Sequence, residues 1–411
     1  MKILLSSIYP YAFALLFLIV PFDDYVRAIP NILLIILAVG FPFVVSKSDF
    51  LKLKNPAFIL FTCLIGYLLL NSLFLGRMEN NFEVIKKILL AAGIIVLAIP
   101  LNNDKDKIYT TIIFSSLAAM AVCTYRIVLL VNETGTFDFG NSQNAIDALI
   151  TDRLYLGLLC VLSILISFKS LSKKYSPYNN YYLANIVLNS LFVFLIVSRI
   201  AIIILFVLVI VYQFYGQNKA KRIIISLVVL SLLGSMAFIF NSNLNKRFFY
   251  STEHNAHQNI VQKTMAWEPR TVIWACAAKI AQAENVFFEG LGFDSVRQKL
   301  VDCYDTDIKN PGRRKWFLER RYNSHNQFIG FYLSTGILSV FLFIAIFVMI
   351  FIKNRKSFFP TALLIAILLF GIIESYFYRQ MGAYYFAIVM VLLLFESNVL
   401  SEKTNSKKEL K

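Results

Sequence analysis

"LANIVLNSLFVFLIVSRIAIIILFVLVIVYQFYG", residues 183–216, runs for more than thirty apolar or small polar positions and is broken only at Ser198-Arg199. Its reading decides the fold. The run is either one broken or very long helix, or two membrane spans joined by a tight helical hairpin, and the hairpin is the preferred reading.

The rest of the chain agrees with a membrane setting. Of 411 residues, 58% are hydrophobic, 15% aromatic and only 16% charged, whereas soluble domains average about 45–50% apolar and about 25% charged. Apolar stretches of roughly 17–25 residues, long enough to cross about 30 Å of hydrocarbon as helices, recur about twelve times. They fall at 3–21, 28–46, 56–75, 84–100, 108–131, 153–168, 182–198, 200–216, 223–241, 327–352, 358–375 and 380–398. The expected fold is therefore an all-α polytopic membrane protein with one large, partly helical outside loop between the ninth and tenth helices. The expected organisation is 1–241 for helices one to nine, 242–326 for the loop, 327–398 for helices ten to twelve, and 399–411 for a basic, unstructured tail. The first span follows Lys2 as a signal peptide would, but it lacks a small-x-small cleavage site and runs into Pro21-Phe22-Asp23-Asp24, so it is expected to be retained.

A net charge of +16 invites a nucleic-acid reading, and the distribution of the charge argues against it. Alternate loops collect Lys47, Lys52 and Lys54; Lys105 and Lys107; Lys169, Lys173 and Lys174; Lys219, Lys221 and Arg222; Lys353, Arg355 and Lys356; and the tail Lys403, Lys407, Lys408 and Lys411. By the positive-inside rule that side is the cytoplasm, and both termini lie there. Lys86 and Lys87 fall on the outer side, where their long stems are expected to snorkel. Cys63, Cys123 and Cys160 sit in apolar runs as small hydrophobes. Cys276 and Cys303 fall in the outside loop, where an oxidising compartment would permit pairing without requiring it. No CxxC, HExxH or His/Cys cluster offers a metal site.

The outside loop is far longer than the usual 2–8 residue connection between bundle helices. "EPRTVIWACAAKIAQAEN", 268–285, reads as an amphipathic helix with Pro269 in its first turn and Val272, Ile273, Trp274, Ala277 and Ile280 on its buried face. "FEGLGFDS", 288–295, then supplies a glycine turn and an Asp/Ser cap for a second helix through "VRQKLVDCY". The loop is a small folded cap.

Unusual side chains gather at this outer face. Arg199 at the membrane is costly without a partner or a task. Arg270 stands at a helix start, where free N–H groups already favour an anion. Glu374 and Arg379 flank the last outside turn, and Arg27, Arg77, Arg126 and Arg153 approach the same face. His325 precedes an apolar helix, where Ser324 or Asn326 can cap and the helix dipole opposes protonation of the imidazole, leaving it able to act as a general base. Taken singly, His325 reads first as an interfacial histidine without chemistry, and Arg199 and Arg379 read equally as anchors or lipid-phosphate contacts. His254 and His257 read as solvated loop residues. The richness in Phe and Tyr identifies no sugar platform by itself.

Four segments, in order, resemble the bacterial O-antigen ligase and O-antigen polymerase superfamily. "VSRIAIIILF", 197–206, resembles its Ser-Arg-x-Ala segment, and "PRTVIWACAAKIAQAENVFFEGLGFDS", 269–295, its Arg-x-x-x-Trp helix and glycine turn. "NSHNQFIGFYLSTGILSVFLF", 323–343, is similar to its His-Asn signature opening a helix with a later glycine, Gly336. "ESYFYRQMG", 374–382, is similar to the closing pattern of some ligase-like members. The likeness covers roughly 180–395, and "FEGLGFDS" departs from the commoner Pro-Leu-Phe-Gly run.

The resemblance implies a metal-independent glycosyltransferase without a cofactor, on the periplasmic face of the bacterial inner membrane. Its donor would be a glycan on undecaprenyl diphosphate and its acceptor a hydroxyl on lipid A-core or another glycan, with membrane lipids around it and no nucleic acid. It implies His325 as catalytic base, Arg199, Arg270 and Arg379 as diphosphate ligands, and Glu374 and Asn326 in support. A ligase is preferred for the closing resemblance, and a polymerase would use the same donor chemistry. A transporter or flippase is the third reading; the missing half-repeat and the charges gathered at one face count against it.

Overall fold

The computed structural model describes residues 2–135, 148–172, 174, 176–240 and 268–409. His254, His257 and Lys173 fall outside them. The fold is an all-α polytopic membrane fold, and each expected span but the tenth falls on a single helix. These are α1 (Lys2–Ile19), α2 (Ala28–Val44), α3 (Pro56–Phe74), α4 (Met78–Leu97), α5 (Lys105–Thr134), α6 (Arg153–Ser170), α7 (Tyr178–Leu195), α8 (Arg199–Gln213) and α9 (Lys219–Phe240). The cap contributes α10 (Pro269–Ala283), α11 (Phe293–Asp307) and α12 (Pro311–Arg320), and the chain returns through α13 (Gln327–Thr335), α14 (Ile337–Asn354), α15 (Phe358–Ile373) and α16 (Gln380–Glu409). Among the described residues, six helices are long and apolar enough to cross a membrane, and four shorter apolar helices accompany them.

The opening run is a hairpin. α7 stops at Leu195 and α8 starts at Arg199, with Val197 turned to a φ of 51° between them. A β-branched residue rarely adopts that conformation, so the turn is strained and held by its surroundings. Gly157 on α6 leaves the room: a Cβ there would run into Ser198 and Ala201, and Ser198 Oγ donates to the Arg153 carbonyl at 3.1 Å.

Burial sorts the helices. α6, α15 and the first half of α16 are covered on nearly every side, as expected of helices apolar all round. α2 exposes Ile29, Ile32, Ile35, Ile36 and Val39 in the manner of a lipid-facing helix. Between α5, α6 and α7, Ser116 donates to Asn189 Oδ1 at 2.5 Å, while Asn185 Nδ2 donates to Ser163 and Ser167 at 2.9 and 2.8 Å. Such side-chain bonds, together with small residues, hold helices where lipid removes the hydrophobic drive to associate.

Several expectations are corrected. The tenth span is two helices, because Gly336 takes a φ of 82° and Ile337 N donates to the Phe287 carbonyl at 2.8 Å instead of within the helix. The "FEGLG" turn docks there, with Leu291 N and Gly292 N donating to the carbonyls of Leu333 and Ser334 at 2.9 and 2.8 Å. The start of α11 is capped neither by Asp294 nor by Ser295: Phe293 N donates to Asn81 Oδ1 on α4 at 2.8 Å, because this helix start is buried against the bundle. Cys276 and Cys303 form a disulfide between α10 and α11. α16 continues to Glu409, through the segment expected to be an unstructured tail. Lys87 donates to the Tyr378 carbonyl at 3.0 Å, so that side chain ties two segments together.

The cap has its own core, built from Ile273, Cys276, Ala277, Ile280, Val296, Leu300, Tyr304 and Phe317. Val272 and Trp274, expected on the buried face, pack against this core but are only partly buried. Tyr67, Asn71 and Arg77 donate to the carbonyls of Thr335, Glu289 and Gly290 at 2.6, 3.1 and 2.9 Å, so the outer ends of α3 and α4 grip the cap through its backbone.

Gly336→Ala adds a Cβ against the Phe288 carbonyl at a backbone angle that L-residues avoid. It is expected to cost roughly 1–3 kcal/mol, read as a lower thermal unfolding midpoint of detergent-solubilised protein and faster proteolysis within the cap. An unchanged midpoint would show that the break does not hold the cap.

Candidate active site

Two helix starts carry the principal arginines. Arg199 opens α8 and Arg270 is the second residue of α10, after Pro269, whose missing N–H costs nothing in a first turn. Glu268 joins them: its Oε2 lies 2.6 Å from Arg199 Nη2 and its Oε1 2.6 Å from Arg270 Nη1. Arg270 Nε also donates to the Ile373 carbonyl at 3.0 Å. Burial pushes the Glu268 carboxyl up, and Arg199 and then Arg270 outweigh it, so the group ends below the usual carboxylate range.

These residues line a cavity of ≈ 400 Å³ together with Asp152, Arg153, Ser198, Thr271 and Trp274. Three arginines face two acids across it. Charge, donor count and two helix N-termini make it an anion seat whose present occupant is the protein's own carboxylate.

His325 lies beside the cavity without lining it. Its Nδ1 is 2.9 Å from Glu374 Oε2. A carboxylate accepts and does not donate, so the neutral tautomer that suits this contact has its proton on Nδ1 and leaves Nε2 as the basic nitrogen. Glu374 is buried, and its Oε1 has no hydrogen-bond partner among the described residues. His325 adopts a φ of 41°, and Asn323 Oδ1 accepts from its N–H at 2.8 Å. Of the two expected caps for α13, Asn326 is the one used: its Oδ1 accepts from Phe328 N and Ile329 N at 2.9 and 3.0 Å. Asn326 N donates to Ser375 Oγ at 3.1 Å, which fixes the histidine turn to the segment that carries Glu374.

Arg379 pairs with Asp152 at 2.9 Å and so joins the cavity through its wall. Burial lowers the Arg379 pKa and is outweighed by Asp152 and Glu374, which leave it raised. Of the other arginines expected at this face, Arg153 lines the cavity, Arg77 holds the cap, Arg27 donates to the Asp24 carbonyl, and Arg126 contacts Tyr25. The sequence reading missed Glu268, Asp152 and the role of Trp274. An acid directly before a Pro-Arg helix start was the available signal for Glu268. Among the described residues, the one grouping with metal-ligand spacing is Cys276, Cys303 and Asp307, and its thiols are consumed in the disulfide.

Residues 184–344 match the family model described as O-antigen ligase. Through this segment the chain is similar to the O-antigen ligase family, and the match supports the O-antigen ligase and polymerase superfamily. Members of this superfamily are membrane glycosyltransferase-like enzymes, and the family supports a ligase- or polymerase-type role in polysaccharide biosynthesis. No curated protein matches the chain. The ligase-family segment contains Arg199, Glu268, Arg270 and His325, whereas Asp152, Glu374 and Arg379 lie outside it.

Glu268→Gln removes the resident anion and leaves both guanidiniums in place. Inorganic diphosphate is expected to bind about tenfold tighter, roughly 1.4 kcal/mol, in calorimetry on the solubilised protein; weaker binding would make Glu268 a brace and not a competitor. The sign of the pH effect follows from its lowered pKa. The pair contributes stability above the unfolded glutamate value of about 4.3 and loses it as pH falls through the lower folded value. The wild-type unfolding midpoint should therefore drop on acidification more steeply than that of the Gln variant.

Proposed function

We propose that this protein transfers a glycan from undecaprenyl diphosphate to an acceptor hydroxyl on lipid A-core, as an O-antigen ligase, at the periplasmic face of the inner membrane. What carries this reading is one helix, α10. It sets Arg270 on the anion cavity in its first turn, and one turn later Trp274 Nε1 donates to the Ser324 carbonyl at 3.1 Å, in the turn that holds His325. The diphosphate pole and the base are thereby fixed to each other.

The chemistry is one displacement. His325 Nε2 takes the proton from the acceptor hydroxyl, the oxygen attacks the anomeric carbon, and the bond from that carbon to the phosphate oxygen breaks with its electron pair leaving on the diphosphate. Inversion follows from a single attack. Arg199 and Arg270 neutralise the charge that develops on the leaving group, which is the moment when such donors matter most. Arg379 adds to this field from beyond Asp152. Glu374 holds the imidazole in the productive tautomer and stabilises its charged form, as an orienting carboxylate does in a catalytic triad. Diphosphate leaves without a protonating acid, so the paired carboxylates of glycosidases are not required. The guanidiniums bring the positive charge a metal would otherwise supply.

The seat and the bundle geometry fit a lipid-linked donor. The arginines stand at the ends of apolar helices, where a diphosphate headgroup can meet them while its prenyl chain stays in lipid. The alternating basic loops support the orientation, with cationic loops and both termini in the cytoplasm, and the disulfide in the cap is in keeping with an oxidising compartment on the other side.

His325→Ala is expected to lower transfer by about 10²–10⁴-fold, the usual share of a general base, with protein levels matched by immunoblot. Glycan profiling then separates the outcomes. Unlinked polymer accumulating on the carrier supports the ligase, single repeats capped on core would assign a polymerase, and a wild-type pattern would remove the glycosyltransferase mechanism altogether.

A further inference from the structure

The cap helix α12 has no task in the chemistry described so far, and its composition is unlike the rest of the cap. From 313 to 321 the chain reads Arg-Arg-Lys-Trp-Phe-Leu-Glu-Arg-Arg, five cations against one acid. Phe317 points into the cap core, and Trp316 beside it stays 39% exposed. Arg313, Trp316 and Arg320 follow at i, i+3 and i+7, so they share one side of the helix.

That side leads to the candidate base. The Trp316 ring lies 5.1 Å from that of Tyr322, and the Tyr322 ring lies 5.3 Å from that of His325. Tyr322 stands at a junction, close enough to feel the charges of Arg320, Arg379, Asp152 and Arg270. Burial pushes its hydroxyl up to about 12, so it remains a neutral phenol able to donate. At the other end of the helix, Arg313 lines a groove of ≈ 580 Å³ with Thr271, Asp307, Lys309 and Asn310, and its buried Nη2 has no hydrogen-bond partner among the described residues. Thr271 lines both this groove and the anion cavity.

We infer that α12 is the acceptor platform: an anionic glycan lies along it, a sugar ring against Trp316 and Tyr322 and its acidic substituents on Arg313 and Arg320, and delivers a hydroxyl to His325. The inference rests on the transfer reading above and names the substrate class of its second side. Two arguments favour a glycan over a lipid headgroup, and the arginines suit the acidic substituents of either. The ring path ends at the histidine, where an acceptor hydroxyl has to arrive. Aromatic faces bury the apolar face of a sugar ring while their edges and hydroxyls meet its polar groups. The arginines that adjoin the ring path offer planar donor forks suited to carboxylates and phosphates.

The experiment uses the full chain in nanodiscs of phosphatidylcholine and a fluorescein-labelled tetragalacturonate, with the neutral tetragalactose as reference, followed by anisotropy. The acidic probe is expected to bind the more tightly. Trp316→Ala and Arg320→Gln should each weaken it by about tenfold or more, the loss expected for one charged contact or one stacked ring. Trp316→Phe, which keeps a ring, should retain most of the affinity and exclude a simple packing defect. Wild-type affinity in both Trp316→Ala and Arg320→Gln overturns the proposal. So does displacement of the probe when phosphatidylglycerol replaces the neutral lipid, since α12 would then be a headgroup contact. Binding needs no turnover, so the platform can fail while donor chemistry at Arg199 and Arg270 stands, and probe binding on α12 that persists where His325→Ala leaves transfer intact would overturn the transfer reading and with it the acceptor role, leaving only a glycan-binding face.

Discussion

Two guanidiniums facing one cavity at the lip of an apolar bundle repel each other and lose hydration, and the Glu268 carboxylate between them is the contact on which the outer end depends. Taking ions out of water costs several kcal/mol each, and partners offset that only when the geometry is good. Here it is good on both sides, and Arg270 is fixed further by the Ile373 carbonyl. That last bond reaches beyond the arginine. Ile373 is the residue before Glu374, so the contact that places Arg270 also places the carboxylate that faces His325. The anion seat and the candidate base are one construction.

The same economy of backbone contacts holds the cap. Its glycine turn lies against the break at Gly336 through main-chain bonds, and the outer ends of α3 and α4 hold its carbonyls. The histidine turn is then fixed from several directions. Tyr304 donates to the Tyr322 carbonyl at 3.2 Å, Trp274 to that of Ser324, and Asn326 N to Ser375. These bonds are why a non-glycine residue can be kept at a positive φ: the strained turn is determined by partners on the cap, the bundle and the last outside loop.

The helical spans were legible because membrane thickness sets a length that any apolar run either meets or misses. Arg199, Arg270 and His325 were legible because charge or imidazole at a helix start in such a chain is conspicuous. What escaped were pairings set by docking. Asn81 caps α11 from 212 residues away, where local sequence pointed to Asp294. Asp152 meets Arg379 across 227 residues, and Glu374 meets His325 across 49. The split at Gly336 escaped for a related reason: hydropathy is continuous through it, and only the cap's arrival explains the break. Cys276 and Cys303 show the limit most simply, since their spacing allowed a bond and only the packing of α10 on α11 selected it.

The boundary of the ligase-family match divides the site in an informative way. Inside residues 184–344 lie the arginines, the acid between them and the histidine. Outside lie Glu374, which orients the imidazole, and Asp152, which holds Arg379. The matched segment thus supplies the groups that would touch a diphosphate and an acceptor hydroxyl, while their orientation comes from α6 and the turn before α16. An isolated copy of that segment would carry the charges without the carboxylate that fixes the tautomer. Orientation within a fraction of an ångström separates a set of reactive groups from a catalyst, so the helices outside the match belong to the site as much as those within it.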